Sequence, residues 1–416
     1  MSTSLLYHGF GIRGYKHVSA EFSEGSVIFT ITQDRLMLRC SECNSRHVIC
    51  KGTKIRLFRM IPIGTKKVYL KFAIQRILCC LCGVIRQVKF GFADNRFSYT
   101  KGFERYVLEL SGHMTIRDVG HHLGISWDVV KEIQKKYLHK KFSKPKLNNL
   151  RQLAIDEISI GKGHKYVTIV LDLVSGAVVY VGKGKGADAL KAFWRRLMRS
   201  GARIDAVAID MSPAYRASVS ENVPDAAIVF DHFHVIKLFN DKLSDYRRQL
   251  YYKVSTEAHR IVLKGTRWLL LKNPENLNED KNERQRLEEA LNLNKPLATV
   301  YYMKEDLRTL WNYPDKIAAE RFLYDWIARA EVSGIAMLKA FAKTLREHLA
   351  GILAYYNFPI STAALEGTNN KIKTMKRQAY GFRDLEFFKL KVMAIHETRY
   401  ALDIMYLTCP TLSDVG

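Results

Sequence analysis

Three acidic residues on three separate segments could do chemistry in this chain. Asp156 stands in RQLAIDEISI, Asp210 in IDAVAIDMS and Glu366 in STAALEGTNNKIKTMKRQAYGF. The first two close short apolar, β-branched runs that read as strands. The third lies in a basic run with helical spacing. Carboxylates delivered from two strand ends and one helix can share two divalent ions, and such pairs catalyse in-line displacement at phosphorus. Oxygen donors suit a hard ion, so the expectation is two magnesium ions per active site on Asp156, Asp210 and Glu366. Taken singly, Asp210 before Met-Ser-Pro also fits a helix N-cap, and the helix around Glu366 also fits a solvated face.

Residues near these three extend the candidate site. Glu366, Asn369 and Lys373 fall at i, i+3 and i+7, which places them on one helical face. Asn369 and Lys373 are expected to hold the scissile strand, and Lys376 and Arg377 to contact phosphates or solvent. Neighbours on a strand point to opposite sides, so Asp156 is expected at the metals and Glu157 in a supporting role. AAIVFDHFHV reads as a further strand. His234 in it is expected near a phosphate or a flanking base, with a structural role for His232 and His234 equally open.

The elements needed to position these groups run from residue 151 onward. RQLAIDEISI, KYVTIVLDL and AVVYVG read as three strands in a meander. A helix follows (ADALKAFWRRLMRSG, ended by Gly201), then a strand, a helix opened by Pro213, and a last strand. That is the order of a ribonuclease H-like α/β core. Residues 251–355 are rich in Lys, Glu, Leu and Arg, a composition that favours helix, and separate Asp210 from Glu366. They read as an all-helical insertion in which Trp268, Trp311 and Trp326 are core residues.

Two smaller domains precede this core. Six of the seven cysteines fall between residues 40 and 82. Cys40–Cys43 and Cys79–Cys82 are two C-x₂-C knuckles, which together make a four-thiolate structural zinc site. The intervening IRLFRMIPIGTKKVYLKFAIQRIL reads as two strands about a Gly-containing turn, the layout of a zinc ribbon. Gly83 suits the turn of the second knuckle. Buried free thiols are the plainer alternative, with Cys50, Cys80 and His47 left over and Cys409 a packing residue. Next, IRDVGHHLGIS and WDVVKEIQKKYL read as a helix-turn-helix, with Gly124 ending one helix and Ser126 capping the next. Lys131, Lys135 and Lys136 on the second helix are expected phosphate contacts, which position but do not specify.

Composition agrees with a polyanionic partner. The 416 residues carry a formal net charge of +25, and such a charge speaks about partners and not about fold. Residues 1–150 hold 26 Lys and Arg against 10 Asp and Glu, a net +16, which marks a DNA-contacting front end. No run reaches the ~18 apolar residues of a membrane span, and no secretory leader pattern is visible. The expected location is the cytoplasm of a bacterium, beside its nucleoid. The expected domains are 1–95 (ribbon), 96–145 (helix-turn-helix), 146–250 (first part of the core), 251–355 (insertion) and 356–416 (the part of the core with Glu366).

Taken together, the cysteine ribbon, the helix-turn-helix, the IDE strand, AIDMSPAY, VFDHFHVIK and LEGTNNKIKTMKRQAYGF resemble the DDE transposases of bacterial insertion sequences, most closely the ISL-three family. The resemblance spans nearly the whole chain. It implies a transposase that binds terminal inverted repeats in double-stranded DNA and carries out metal-dependent strand cleavage and transfer as a homodimer or larger synaptic assembly. It also implies that Asp156, Asp210 and Glu366 are the DDE triad, that Lys373 is the lysine seven residues after the glutamate, and that Asp231 and His234 form a D-x₂-H element. Two other readings remain: a DNA-binding regulator derived from such an enzyme, and a ribonuclease H-like nuclease.

Overall fold

The strand pair expected between the cysteine knuckles forms a long hairpin. The computed structural model describes residues 5–161, 163–254 and 256–396, in two units that divide between Lys141 and Phe142. Cys409 lies outside the described residues. The first unit starts with a short helix, α1 (Leu5–His8), and strands β1 (Lys16–Ser23) and β2 (Ser26–Thr32). The hairpin is β3 (Val48–Ile63) and β4 (Lys66–Cys79), and β5 (Ile85–Gln87) returns along β4. Period-two alternation turns Val68, Leu70, Phe72 and Ile74 of β4 into the core. The sequence reading had no strands before the cysteines, yet β2 joins parallel to β4, with Val27, Phe29 and Ile31 beside Val68, Leu70 and Phe72.

Three helices complete this unit: α2 (Lys101–Leu110), α3 (Ile116–Leu123) and α4 (Trp127–Phe142). Thr115 caps α3, accepting from the Asp118 amide at 3.2 Å and donating to its carboxylate at 2.6 Å. Gly124 ends α3 in the left-handed region, φ 60°. Ser126 accepts from the Asp128 amide at 3.2 Å and starts α4. Phe103, Val107, Val119, Leu123, Val130 and Ile133 form the small core that fixes the angle of the helices.

In the second unit, β6 (Gln152–Gly161), β7 (Lys165–Asp172) and β8 (Val178–Lys183) form the antiparallel meander. They lead to α5 (Ala187–Ser200), β9 (Ala206–Ile209), α6 (Pro213–Asn222), β10 (Ala227–Phe230) and α7 (His232–Lys253). Strands β9 and β10 join β6 in parallel, giving the order β10-β9-β6-β7-β8. This is the ribonuclease H-like sheet. The last strand is shorter than expected. It stops at Phe230, Asp231 takes the N-cap position, and His234 falls in the first turn of α7. The composition of HFHV suits a strand as well as a helix, and the local pattern does not discriminate between them.

Six helices follow among the described residues: α8 (Glu257–Gly265), α9 (Arg267–Leu271), α10 (Glu283–Leu293), α11 (Lys295–Arg308), α12 (Lys316–Val332) and α13 (Ala336–Leu353). The chain then returns to the sheet as α14 (Ala363–Gln378) and α15 (Leu385–Met393). Trp326 is fully buried and donates to the Met303 carbonyl at 2.8 Å. Trp311 is half-buried. Trp268, expected in the core, is 66% exposed, its ring 4.8 Å from the Arg267 guanidinium. On the short helix α9, Leu269 and Leu270 supply the buried contacts instead.

The sheet is covered on both faces. Leu153, Ile155, Val207, Ile209 and Phe230 belong to the core shared with α5 to α7 and the inserted helices. Ala154, Ile158, Ala208 and Val229 pack with Leu365, Ile372, Phe388 and Val392 of α14 and α15. Helix α5 comes so close to β8 that a Cβ on Gly182 would lie 2.3 Å from the Ala189 carbonyl oxygen. Gly182→Ala is therefore expected to destabilise the protein by about 1–3 kcal/mol through overpacking. Thermal unfolding should show this as a fall of roughly 2–4 °C per kcal/mol. An unchanged Tm would mean that α5 can shift freely on the sheet. No described helix is long and apolar enough to cross a membrane.

Candidate functional site

The register of the parallel strands brings three aspartates level. Ala154 of β6 pairs with Ala208 of β9, so Asp156 stands level with Asp210, one residue beyond the end of β9. Ile209 pairs with Phe230, so Asp210 stands level with Asp231. Alternation turns all three toward the face covered by α14 and α15, in line with Ala154, Ala208 and Val229. Asp210 and Asp231 lie just beyond the carboxyl ends of β9 and β10, where open α/β sheets bind ligands, whereas Asp156, expected at a strand end, stands mid-strand on β6 where its parallel pairing with β9 has ended.

Each carboxylate is held differently. Asp156 is half-buried, and its Oδ1 accepts from the Glu157 amide at 2.7 Å. Burial raises its pKa above the ordinary carboxylate range. The Glu157 amide and the nearby His234 oppose that rise, while Asp210 and Glu157 add to it. Asp210 accepts from the Ser212 amide at 3.0 Å. Asp231 is only 2% exposed and accepts from the Thr362 amide at 3.3 Å, with His232 at 3.6 Å. Glu157 points the other way and accepts from the Tyr215 hydroxyl at 3.2 Å. That hydroxyl also meets Thr168 at 3.1 Å and the Gly186 amide at 3.3 Å. Nothing in the local sequence marked Tyr215 as this hub.

Helix α14 lies across the aspartates. Leu365, Thr368, Asn369 and Ile372 are its buried stripe. Glu366 is exposed in the first turn, where the helix dipole favours an acid. Asn369, expected at the scissile strand, is turned inward. It is 6% exposed and its Nδ2 donates to Asp156 Oδ2 at 2.8 Å. The reason is that Asn369 is four residues beyond Leu365 and so belongs to the buried stripe as well as to the face of Glu366. Lys373 and Arg377 are exposed, and Lys376 reaches the Ser159 carbonyl at 3.4 Å.

The oxygens of Asp156, Asp210 and Glu366 are not drawn into a single ligand sphere. Among the described residues, one group of three or more His, Cys, Asp and Glu has all its ligand atoms within 4.8 Å, and that group is the cysteines. Two ions about 3.5–4 Å apart need a wider set of donors. Carboxylates level on neighbouring strands, with Asp156 and Asp210 close enough to feel each other's charge, are a donor set that fits hard cations.

The cysteine group is a built metal site. Cys40 and Cys82 sulfurs lie 3.6 Å apart, and Cys43 and Cys79 3.5 Å apart. Four sulfurs at a Zn–S distance of about 2.3 Å require this kind of separation. Each knuckle closes alike. The Asn44 amide donates to the Cys40 carbonyl at 3.1 Å and the Gly83 amide to the Cys79 carbonyl at 2.9 Å. Both turn residues have positive φ, 59° and 68°. Backbone amides of Cys82 and Leu81 lower the Cys79 thiol to about 6, and those of Cys43 and Glu42 lower Cys40, while the adjacent sulfurs raise Cys43 and Cys82 against the Ser45 and Val84 amides. A lowered thiol favours the thiolate that binds metal. Cys50, Cys80 and His47 are exposed and outside the group.

On α4, Lys136 is ion-paired within its own unit, 3.0 Å from Glu104 and 3.7 Å from Asp94. Lys131 and Lys135 are half-buried and engaged in contacts of their own.

Comparison with known proteins gives three family matches in chain order. Residues 38–82 match the zinc finger of the transposases of IS204, IS1001, IS1096 and IS1165, residues 88–138 the helix-turn-helix domain of transposase family ISL3, and residues 153–392 the ISL3 family model described as Transposase. The transposase for insertion sequence element IS1001 of Bordetella parapertussis is 35% identical over 361 residues, 86% of this chain and 88% of that protein. The transposase for IS1557 of Mycobacterium tuberculosis is 26% identical over 373 residues, 84% of this chain and 83% of that protein. Among solved structures, the Drosophila P element transposase strand transfer complex matches 71% of this chain and 91% of its own at 12% identity, with a TM-score of 0.38. With a zinc ribbon, a helix-turn-helix and a ribonuclease H-like core in that order, the chain belongs to the ISL3 family of insertion-sequence transposases, enzymes that cut and join DNA.

Proposed function

We propose that this transposase binds the terminal inverted repeats of its element and catalyses strand cleavage and strand transfer at one site built from Asp156, Asp210 and Glu366. The level register of Asp156 with Asp210, beneath the helix that bears Glu366, carries this reading. The three carboxylates would hold two magnesium ions. When bound, these supply activation of the attacking oxygen, first from water and then from a 3′-hydroxyl, and neutralise charge at the leaving oxygen. The protein's own part is to fix three acceptor groups on a rigid sheet and helix.

Around them, Lys373, Lys376 and Arg377 extend the basic face of α14 for the phosphate backbone, and His234 serves the strand nearest Asp156. In the front end, α4 is the helix for the major groove. Lys131, Lys135 and Lys136 shape its basic flank, with Lys136 released from Glu104 on contact. Cys40, Cys43, Cys79 and Cys82 hold a structural zinc. A dimeric or larger assembly on paired ends, working in the bacterial cytoplasm and nucleoid, completes the proposal.

The test is incubation of purified protein with magnesium, a donor ended by the element's repeats and a target plasmid. Joined donor–target products are expected. Cleavage without joining would favour a nuclease, and binding without cleavage a regulator.

A further inference from the structure

We propose that Asp231 and Asn369 are positioning residues that set where Glu366 stands against Asp156 and Asp210, an inference that rests on the metal site proposed above. Glu366 reaches the sheet only after more than a hundred residues of inserted helices, so the length of the chain does not place it. Two polar links do. At the start of α14 the Thr362 amide donates to Asp231 Oδ1 at 3.3 Å, with both residues buried. Seven residues later Asn369 Nδ2 donates to Asp156 Oδ2 at 2.8 Å.

The dimensions match. Asp231 follows β10 and Asp156 lies on β6, with β9 between them. Two strand spacings are about 9.5 Å, and seven helical residues rise about 10.5 Å. Helix α14 therefore steps from one outer aspartate to the other. Glu366, four residues after Thr362 and three before Asn369, falls over the middle strand, which is the strand of Asp210. Thr362, Glu366 and Asn369 stand at i, i+4 and i+7, one stripe of the helix.

Asn369 has a second effect. With the Glu157 amide on Oδ1 and Asn369 on Oδ2, each oxygen of Asp156 is held by one donor. The carboxylate plane is fixed, and a free lone pair on each oxygen keeps its direction. Among the described residues, the buried Asn369 Oδ1 atom has no hydrogen-bond partner. Burying half of an amide unpaired weakens folding, so the fold gains little from this residue. Its bond to Asp156 is the contact that accounts for it.

The experiment is calorimetric titration of the zinc-loaded, DNA-free full chain with Mn²⁺, with thermal unfolding of each variant alongside. Asn369→Ala and the near-isosteric Asn369→Leu are expected to keep the wild-type Tm or raise it. Both should weaken Mn²⁺ binding by about 10–100-fold, the usual effect of losing a group that orients a ligand. Asp231→Ala is expected to weaken it similarly, and Asp231→Asn, which keeps an acceptor for the Thr362 amide, to restore it. Wild-type Mn²⁺ affinity in both Asn369 variants would overturn the inference. So would a loss of affinity that only tracks a loss of folding in every variant. Asp210→Asn separates the two levels. If it abolishes Mn²⁺ binding while the Asn369 variants bind normally, the positioning role alone falls. If it too binds normally, the metal site falls.

Discussion

Asp210→Asn is expected to abolish strand cleavage, by about 10³-fold or more, while leaving repeat binding intact. The substitution keeps the shape of the side chain and an oxygen for the Ser212 amide, now 3.0 Å from Asp210 Oδ1. The turn into α6 should therefore survive. What is lost is one negative charge beside Asp156, in a site that would otherwise hold two divalent ions. A 10³-fold loss corresponds to about 4 kcal/mol of transition-state stabilisation, a modest demand on a metal ligand. Repeat binding is proposed for the ribbon and helix-turn-helix of the first unit, so a gel shift should match wild type. Cleavage of a repeat-ended donor at a rate near wild type would remove Asp210 from the proposed site.

The second large effect is expected at the cysteines. Purified protein should carry about one zinc per chain, and Cys79→Ala should carry none. The far end of the β3–β4 hairpin has less apolar packing to hold it, with Ile74 and Ile77 of β4 its buried contacts. Ile49, Ile55, Leu81 and Ile85 there are 50%, 63%, 73% and 46% exposed, whereas Phe58, Met60, Leu70 and Phe72 at the near end are essentially fully buried. Zinc binding to four thiolates supplies folding free energy directly, on the order of 10 kcal/mol in isolated fingers. Chelation or Cys79→Ala should thus free the knuckle segments around residues 40–50 and 79–87 to hydrogen exchange. The near end, with its aromatic core, should keep its protection. Cys50→Ser and Cys80→Ser, outside the cluster, should retain the metal. Full protection of the knuckles after complete removal of zinc would show that the open end of the hairpin folds without it.

Much of this arrangement was legible in local pattern. The Cys40–Cys43 and Cys79–Cys82 spacing, the Gly124 stop and Ser126 start, the Pro213 helix start and the strand around Asp156 each depend on a few neighbouring residues. Such features follow from steric and hydrogen-bonding rules that act within one turn or one knuckle. Where neighbours were ambiguous, the reading went astray. HFHV after Asp231 began a helix instead of ending a strand, Trp268 stayed outside the core, and β1 and β2 were not read although Val27, Phe29 and Ile31 alternate in SVIFTIT.

By itself, then, the sequence determined the order of modules and the four-cysteine cluster, because residue type and short spacing encode them, and it named the acidic trio proposed as the catalytic site. Only the tertiary structure decided that Asp231 joins the level row of aspartates, that Asn369 turns inward to Asp156, and that Lys136 is paired with Glu104. Those outcomes depend on strand register and on where a helix lands after a long excursion. Both are set by the summed packing of Ala154, Ala208, Leu365, Ile372 and their partners across the sheet face, and no single stretch of chain contains that information.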